Sequence, residues 1–421
     1  MRRKIPSPAA ERVRPPVYRR PAQESVKWCG TIERLAWGGA GVGRAEDGRL
    51  VLLAAPLALF PGEKVEASVR WKVRHGEGEV TAWTCRDPRR VRAGCPVAGE
   101  CGGCDLWEAG PLAGELKREM VADLLARALP DAPPWRWLEA PAQARRHRIQ
   151  LHWNGRELGF HRRSSHSVVP VAACPAAAGP LSRAIPRLQE ALEARILSPK
   201  PQRWELSTGT PAGEVFAVAE SGRCWRLEPD GWHPGEAPVR HDFGAVRLSH
   251  RAGGFFQVCP DWAWSAFGEI LAAWKLPGGT LFDLYGGVGF FSALLGGRFR
   301  TRVLVESDEP AVAWARRNLE ALGLEADCLA ADVAEWVVPG LGTGEDLVLL
   351  DPPRSGLAPE LCAKLQTAGA GALVLVGCDG AAFCRDLQRL GPAWKVAGLA
   401  AVDLFPLTHH VECVALLEPN R

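Results

Sequence analysis

Long apolar runs are missing from this 421-residue chain: none approaches the roughly 18 residues that a bilayer-spanning helix requires. The N-terminus is basic but has no apolar signal-peptide core. A helical membrane protein is therefore excluded, and a cytoplasmic protein is the expectation. An excess of one charge is also missing. Lysine and arginine number 51 against 48 acidic residues, a net charge of +3. That balance permits a nucleic-acid partner without requiring one. Methionine and tyrosine occur twice each, lysine is sparse, and Arg, Ala, Gly and Pro are abundant. This pattern reflects a GC-rich genome rather than a function. No internal repeat is visible. The dinucleotide-type spacing G-x-G-x-x-G is lacking at the one strand-to-helix turn where it would count, so a dinucleotide is not favoured.

What is present is enough apolar residue for two or three globular domains, and 13 cysteines. Without a secretory signal a disulfide framework is not expected. Metal ligation, catalysis and burial must account for these thiols.

The chain is organised around residues 280–292. Leu281-Phe282-Asp283-Leu284 reads as a buried strand, Gly286, Gly287 and Gly289 as a turn, and Phe290-Phe291-Ser292 as a helix start. Glycines at such a turn let a ligand approach the backbone. Val303-Leu304-Val305-Glu306 reads as a second strand ending in an acid that can accept ribose hydroxyls. The turn suits S-adenosylmethionine (SAM); the plainer alternative is a tight turn in some other α/β domain.

Residues 1–24 read as a disordered basic tail. Residues 25–85 hold about five short β-like runs around Trp37-Gly38-Gly39, which predicts a small OB-type β-barrel. Residues 86–250 form a central mixed α+β domain, with an amphipathic helix over 111–129 and a hairpin turning at Asn154-Gly155. Arg145, Arg146, His147 and Arg148 before that hairpin suggest an RNA-facing surface or, equally, a solvated edge. Within this stretch Cys95, Cys101 and Cys104 follow C-x5-C-x2-C spacing, with Cys174-Pro175 the best fourth ligand. Iron–sulfur and zinc both suit four thiolates, and three merely buried cysteines remain a third reading.

Residues 251–421 alternate strands with helices, which predicts a parallel doubly wound sheet with ligands at its carboxyl edge. Tyr285, Glu306, Asp351 of Asp351-Pro352-Pro353-Arg354, and Cys378 all map to that edge. A strand-end cysteine is often structural. Beside a SAM turn it fits methylation of uracil C5, a carbon that becomes nucleophilic only after a thiolate adds to C6. A base must then remove the C5 proton. Glu412 of His409-His410-Val411-Glu412 is the candidate; a surface glutamate on a late strand is the alternative. A metal site on His-His-x-Glu lacks a third ligand at convincing spacing. Cys384 is a rival nucleophile, poorly placed inside the following helix.

Over residues 28–418 the chain resembles the RNA 5-methyluridine methyltransferase family, in its TRAM-containing, iron–sulfur branch that modifies large-subunit ribosomal RNA. The resemblance rests on the four cysteines, Phe255-Phe256-Gln257-Val258, Asp283-Leu284-Tyr285, Glu306, Asp351-Pro352-Pro353-Arg354, Cys378 and His409-His410-Val411-Glu412. It implies a Rossmann-like SAM-dependent methyltransferase domain behind a TRAM barrel and a cluster-bearing domain. It implies a [4Fe-4S] cluster on Cys95, Cys101, Cys104 and Cys174, with zinc the alternative. Gln257, Tyr285, Glu306, Asp332 and Asp351 would contact SAM. Cys378 would be the nucleophile and Glu412 the base. The expected partner is 23S rRNA, acted on by a monomer. The alternatives are a tRNA substrate or a non-catalytic RNA-binding or ribosome-assembly factor. Four positions depart from the family pattern: Gly286 replaces Cys, Cys259 replaces Asn, and Gly377 and Gly380 replace the Ser and Pro around the nucleophile. Losing that Ser and Pro predicts a looser loop.

Overall fold

The computed structural model describes residues 25–420, so the basic tail expected over 1–24 lies outside the described residues. Among the described residues no helix is long and apolar enough to cross a membrane.

The N-terminal sheet has six strands. Lys64–Trp71 alternates inward and outward residues, with Val65, Ala67 and Val69 buried, as a half-solvated strand must. Val26–Thr31 pairs with Lys64–Trp71 at one end of the sheet, and Arg34–Leu35 pairs with Gly41–Arg44 at the other. These two edges are successive stretches of one chain, so the sheet wraps round on itself over Ile32, Leu53, Leu59 and Phe60. Glu63 is buried. Burial opposes its ionisation, but Arg90 at 2.6 Å and the N–H groups of Asp87 and Phe60 hold it below the usual carboxylate range. That pair fastens the sheet to the segment that follows.

The central sheet has seven antiparallel strands. Arg148–Trp153 and Leu158–His161 pair across the Asn154-Gly155 turn. Helix Gly179–Glu193 covers one face through Leu181, Ile185, Leu188 and Leu192, spaced at helical period and fully buried.

The third sheet has eight strands, and the parallel arrangement expected for it is incomplete. Asp327–Ala330, Thr301–Glu306, Thr280–Leu284, Leu347–Leu350 and Ala372–Gly377 run parallel in that order. Chain direction then reverses: Glu412–Pro419 lies antiparallel to Ala372–Gly377 and to Trp394–Val402. The sheet is therefore mixed. The reversal follows from the short connection between Trp394–Val402 and Glu412–Pro419, which has no crossover helix to return the chain in parallel. Nor does sheet membership follow a boundary at 250. Trp135–Leu138 adds an eighth strand beside Trp394–Val402, and helix Ala113–Ala128 packs against helix Gly380–Leu390. Lys117 on the first of these helices is buried and donates to Asp403 at 2.5 Å and to the Phe405 carbonyl at 3.0 Å.

Between the central and mixed sheets lies a hairpin, Pro238–Phe243 and Val246–Arg251, carrying a buried imidazole chain. His250 Nδ1 donates to the Arg251 carbonyl, so its Nε2 accepts from His241 Nε2–H at 3.1 Å. His241 Nδ1 in turn accepts from the Thr210 hydroxyl at 3.2 Å. Phe256 stacks on His241 at 4.0 Å. The chain requires neutral rings. Burial accordingly pushes His241 down to about 2 and His250 to about 4. Unfolded histidines protonate near 6.5, so their contribution to stability is lost as pH falls from about 6.5 towards 4. Asp283 and Asp351, both raised to about 7, act in the opposite direction. The histidine contribution is therefore read as a difference. His250→Gln should flatten the loss of stability on acidification by about 1.4 kcal/mol per pH unit between 6.5 and 4, measured by urea unfolding. An unchanged slope would show that His250 titrates normally in the fold.

Candidate active site

The strand Thr280–Leu284 leads into Tyr285, whose φ of 61° is unusual for a residue with a side chain. Gly287 at 53° and Gly289 at 87° continue the turn, and helix Phe290–Leu295 starts from it. Buried Asp283 holds this geometry: one carboxylate oxygen accepts from the N–H and hydroxyl of Ser292 at 3.0 and 2.6 Å. Glu306 closes the turn from the neighbouring strand, accepting from Gly287 N–H at 3.2 Å and Asp308 N–H at 2.9 Å. Burial, and then the nearby Asp332 carboxylate, push the Tyr285 phenol up to about 12. Asp332 also caps helix Val333–Trp336 through the N–H groups of Ala334 and Glu335. Gln257 follows Phe256, whose ring meets Phe290 edge-on at 5.9 Å. That contact seats the Gln257 segment against the helix begun by the glycine turn.

Asp351 follows the adjacent strand Leu347–Leu350, and its N–H donates to the Leu284 carbonyl. Desolvation, then Asp283, raise its carboxyl to about 7. The strand order reverses between Thr280–Leu284 and Leu347–Leu350, and a crevice forms at such a switch point.

Cys378 follows the next parallel strand, Ala372–Gly377. Gly377 pairs with Cys413 in the antiparallel register, so one step further residue 378 comes opposite Glu412. The charges agree with this placement. Burial first, then Glu412, push the Cys378 thiol up to about 11, while Arg354 pulls it down. Glu412 is buried, and desolvation and Asp351 raise it well above the ordinary glutamate value. Arg354 opposes that shift too, and no carboxylate lies within 4 Å of it among the described residues. Cys384 is packed in the core under helix Gly380–Leu390, which leaves it no approach to the crevice.

Beside Arg354 opens a cleft of about 420 Å³, lined by Gln150, Arg146, Arg148, Arg163, His409 and His410 among others. It reaches from the mixed sheet to Cys104. Cys95, Cys101, Cys104 and Cys174 line one smaller pocket with Val97, Phe160 and Val171. Arg146 donates to the Gly103 carbonyl at 2.8 Å and lies 3.4 Å from the Cys104 sulfur. Two residues that sequence reasoning left without a role are Arg354, although its motif was visible, and Asp105. Nothing in the sequence marks Asp105 apart from its following Cys104.

The family model described as tRNA (Uracil-5-)-methyltransferase matches residues 344–420, the stretch that holds Asp351, Cys378 and Glu412. An uncharacterized RNA methyltransferase of Streptomyces avermitilis is 34% identical, covering 92% of this chain and 97% of that protein. The 23S rRNA (uracil(1939)-C(5))-methyltransferase RlmD of Pseudomonas fluorescens Pf0-1 is 32% identical, over 93% and 92%. The chain belongs to the SAM-dependent RNA (uracil-C5)-methyltransferase family. A solved structure with this fold is the Pyrococcus abyssi tRNA (uracil-54, C5)-methyltransferase in complex with S-adenosyl-L-homocysteine. Its TM-score is 0.71 at 24% identity, covering 92% of this chain and 99% of that one.

Within this uracil-C5 methyltransferase, the departures around the site have steric causes. A side chain on Gly286 would place its Cβ 2.5 Å from Leu304, which fills that space. A Cβ on Gly380 would lie 2.5 Å from Leu124 and 2.9 Å from the Trp37 ring. The loop carrying Cys378 is thus braced rather than loose: Trp37 of the N-terminal sheet and Leu124 of helix Ala113–Ala128 press on Gly380. Asp379 caps the following helix through the Ala382 N–H at 2.8 Å. Cys259 is buried with its thiol pushed up to about 12, a packing residue rather than a reactive one. Gly380→Ala should cost about 1–3 kcal/mol by overpacking. Trp37→Ala should recover part of that loss in the double variant. Additive losses in thermal unfolding would show that the two residues do not press on each other.

Proposed function

We propose that this protein forms 5-methyluridine in RNA, with 23S rRNA as the substrate, and that Cys378 and Glu412 carry the chemistry. What supports this reading is the antiparallel register, which one step past Gly377–Cys413 sets residue 378 opposite Glu412, together with the influence of Glu412, Arg354 and Asp351 on the Cys378 thiol. Relatives named for 23S rRNA, 32% identical over 93% of this chain, support that RNA, and the structure named for tRNA, 24% identical, supports the alternative.

Cys378 gives up its thiol proton to solvent as its sulfur adds to uracil C6, and the C5–C6 π electrons move to C5 and O4. Arg354 is placed to stabilise the thiolate and the developing negative charge. SAM, when bound, would supply the electrophilic methyl group that C5 accepts. Gln257, Tyr285, Glu306, Asp332 and Asp351 are the residues proposed to hold it, with Glu306 placed for the ribose hydroxyls and the glycine turn for close backbone approach. Glu412 then takes the C5 proton. The C–H electrons restore the C5=C6 bond, the C6–S bond breaks, and Cys378 leaves as thiolate. A carboxylate whose pKa is raised by burial is a stronger base than an exposed one. The wrapped N-terminal sheet is proposed as an OB-type TRAM barrel over 25–85, and the basic cleft as the path of the RNA backbone. The remaining division, 86–250 and 251–421, is proposed as functional regions rather than as separate cores. The protein is proposed to act as a cytoplasmic monomer.

Cys95, Cys101, Cys104 and Cys174 are proposed to hold a [4Fe-4S] cluster, with zinc the alternative. Their apolar pocket suits an inorganic cluster. The cluster would tie the 95–104 segment to the central sheet.

A covalent trap tests the mechanism. With SAM and 5-fluorouridine RNA the protein should form a stable RNA adduct that Cys378→Ala abolishes; an adduct that survives the substitution would sink the scheme. Mapping 5-methyluridine in 23S rRNA and tRNA from a deletion strain should show the loss in 23S rRNA. Anaerobically purified protein should be brown and carry about four iron atoms per chain. A colourless protein with stoichiometric zinc would overturn the cluster assignment.

A further inference from the structure

Asp105 stands where three parts of the molecule meet. Its carboxylate is buried and accepts from His409 N–H at 3.0 Å, His409 Nδ1 at 2.6 Å and Arg163 at 2.9 Å. As a carboxylate it can only accept, so Nδ1 of His409 carries a hydrogen. Its backbone carbonyl accepts from Ala58 N–H of the N-terminal region at 2.8 Å, and its own N–H donates to the Leu407 carbonyl at 3.1 Å. Leu106 N–H donates to that same carbonyl at 2.9 Å. Leu407 has a φ of 70°, a left-handed conformation that strains a leucine and persists only where surroundings enforce it. On the other side of His409 the chain at Gly39 approaches so closely that a Cβ there would touch the imidazole at 3.0 Å. His409 is thus clamped between Asp105 and Gly39, three residues before the proposed base.

We propose that Asp105 is a positioning residue for Glu412. It acts through the Leu407 turn and the His409 clamp to aim the carboxylate at the C5 proton. The proposal rests on the reading of Glu412 given above. Loss of the clamp should slow proton removal, the step that needs Glu412, and spare addition of Cys378 to the ring, which does not.

The experiment compares wild-type protein with Asp105→Asn on two RNAs of the same sequence. On uridine RNA, Asp105→Asn should lower kcat on the order of tenfold to a hundredfold with KM unchanged. A covalent protein–RNA species should accumulate during turnover. On 5-fluorouridine RNA, where no C5 proton is available, its rate of adduct formation should match the wild type. Parallel losses on both RNAs would show a general structural role, and an unchanged kcat would show none; either overturns the proposal. Should Asp105→Asn not fold, His409→Ala and His409→Asn make the same comparison. An asparagine amide can replace the Nδ1–H donor, so His409→Asn should restore uridine turnover that His409→Ala loses. Equal defects in both variants would overturn the proposal. Failure of the wild type to form any adduct would instead remove the reading of Cys378 and Glu412, and with it the role given to Asp105.

Discussion

The antiparallel pairing of Ala372–Gly377 with Glu412–Pro419 is the constraint on which the site depends. In a parallel sheet all strands deliver their last residues to one edge, and the first residue of a strand lies at the far side. Reversing one strand brings its first residue to the ligand edge. Glu412 begins such a strand and Cys378 follows the end of its neighbour. The proposed nucleophile and the proposed base, 34 positions apart in the chain, are therefore brought to one sheet edge without a long loop to hold them.

That arrangement gathers acidity in a buried place. Asp283, Asp351, Glu412 and the Cys378 thiol all have their charged forms disfavoured by desolvation. Arg354 is the counterweight, lowering both Cys378 and Glu412. Carboxylates and a thiol crowded together keep protons that they would lose in water. A site that must hand one proton over and regain it uses that property. The strained backbones at Tyr285 and Leu407 flank the same crevice, each held by hydrogen bonds or packing from a neighbouring element.

No single sheet builds this site. Trp37 of the N-terminal sheet and Leu124 of helix Ala113–Ala128 press on Gly380, at the end of the loop that carries Cys378. Asp105, next to the cysteine pocket, holds His409. Lys117 and Asp403 pin the same helix to the strand before the His-His segment, and breaking such a buried pair costs several kcal/mol because one charge is left alone. The basic cleft runs across these junctions, from Arg354 to Arg146 and Cys104.

Local chemistry was legible in the chain from the start. Glycines at 286, 287 and 289, an acid ending the next strand, cysteines at close spacing and a cysteine after an apolar run each announce themselves, because backbone freedom, strand period and ligand type are properties of short segments. The hairpin at Asn154-Gly155 and the alternation in Lys64–Trp71 were legible for the same reason. Strand direction was not. A run such as Ala415-Leu416-Leu417 is equally apolar whether it runs parallel or antiparallel, so the mixed sheet and the meeting of Cys378 with Glu412 were decided by tertiary pairing. The same holds for Trp135–Leu138, drawn from early in the chain into the C-terminal sheet, and for Gly380, whose missing side chain is explained only by Trp37 some 340 positions away. Composition and spacing determined which reactive groups this protein owns. Long-range packing, which no local window contains, determined which of them face one another.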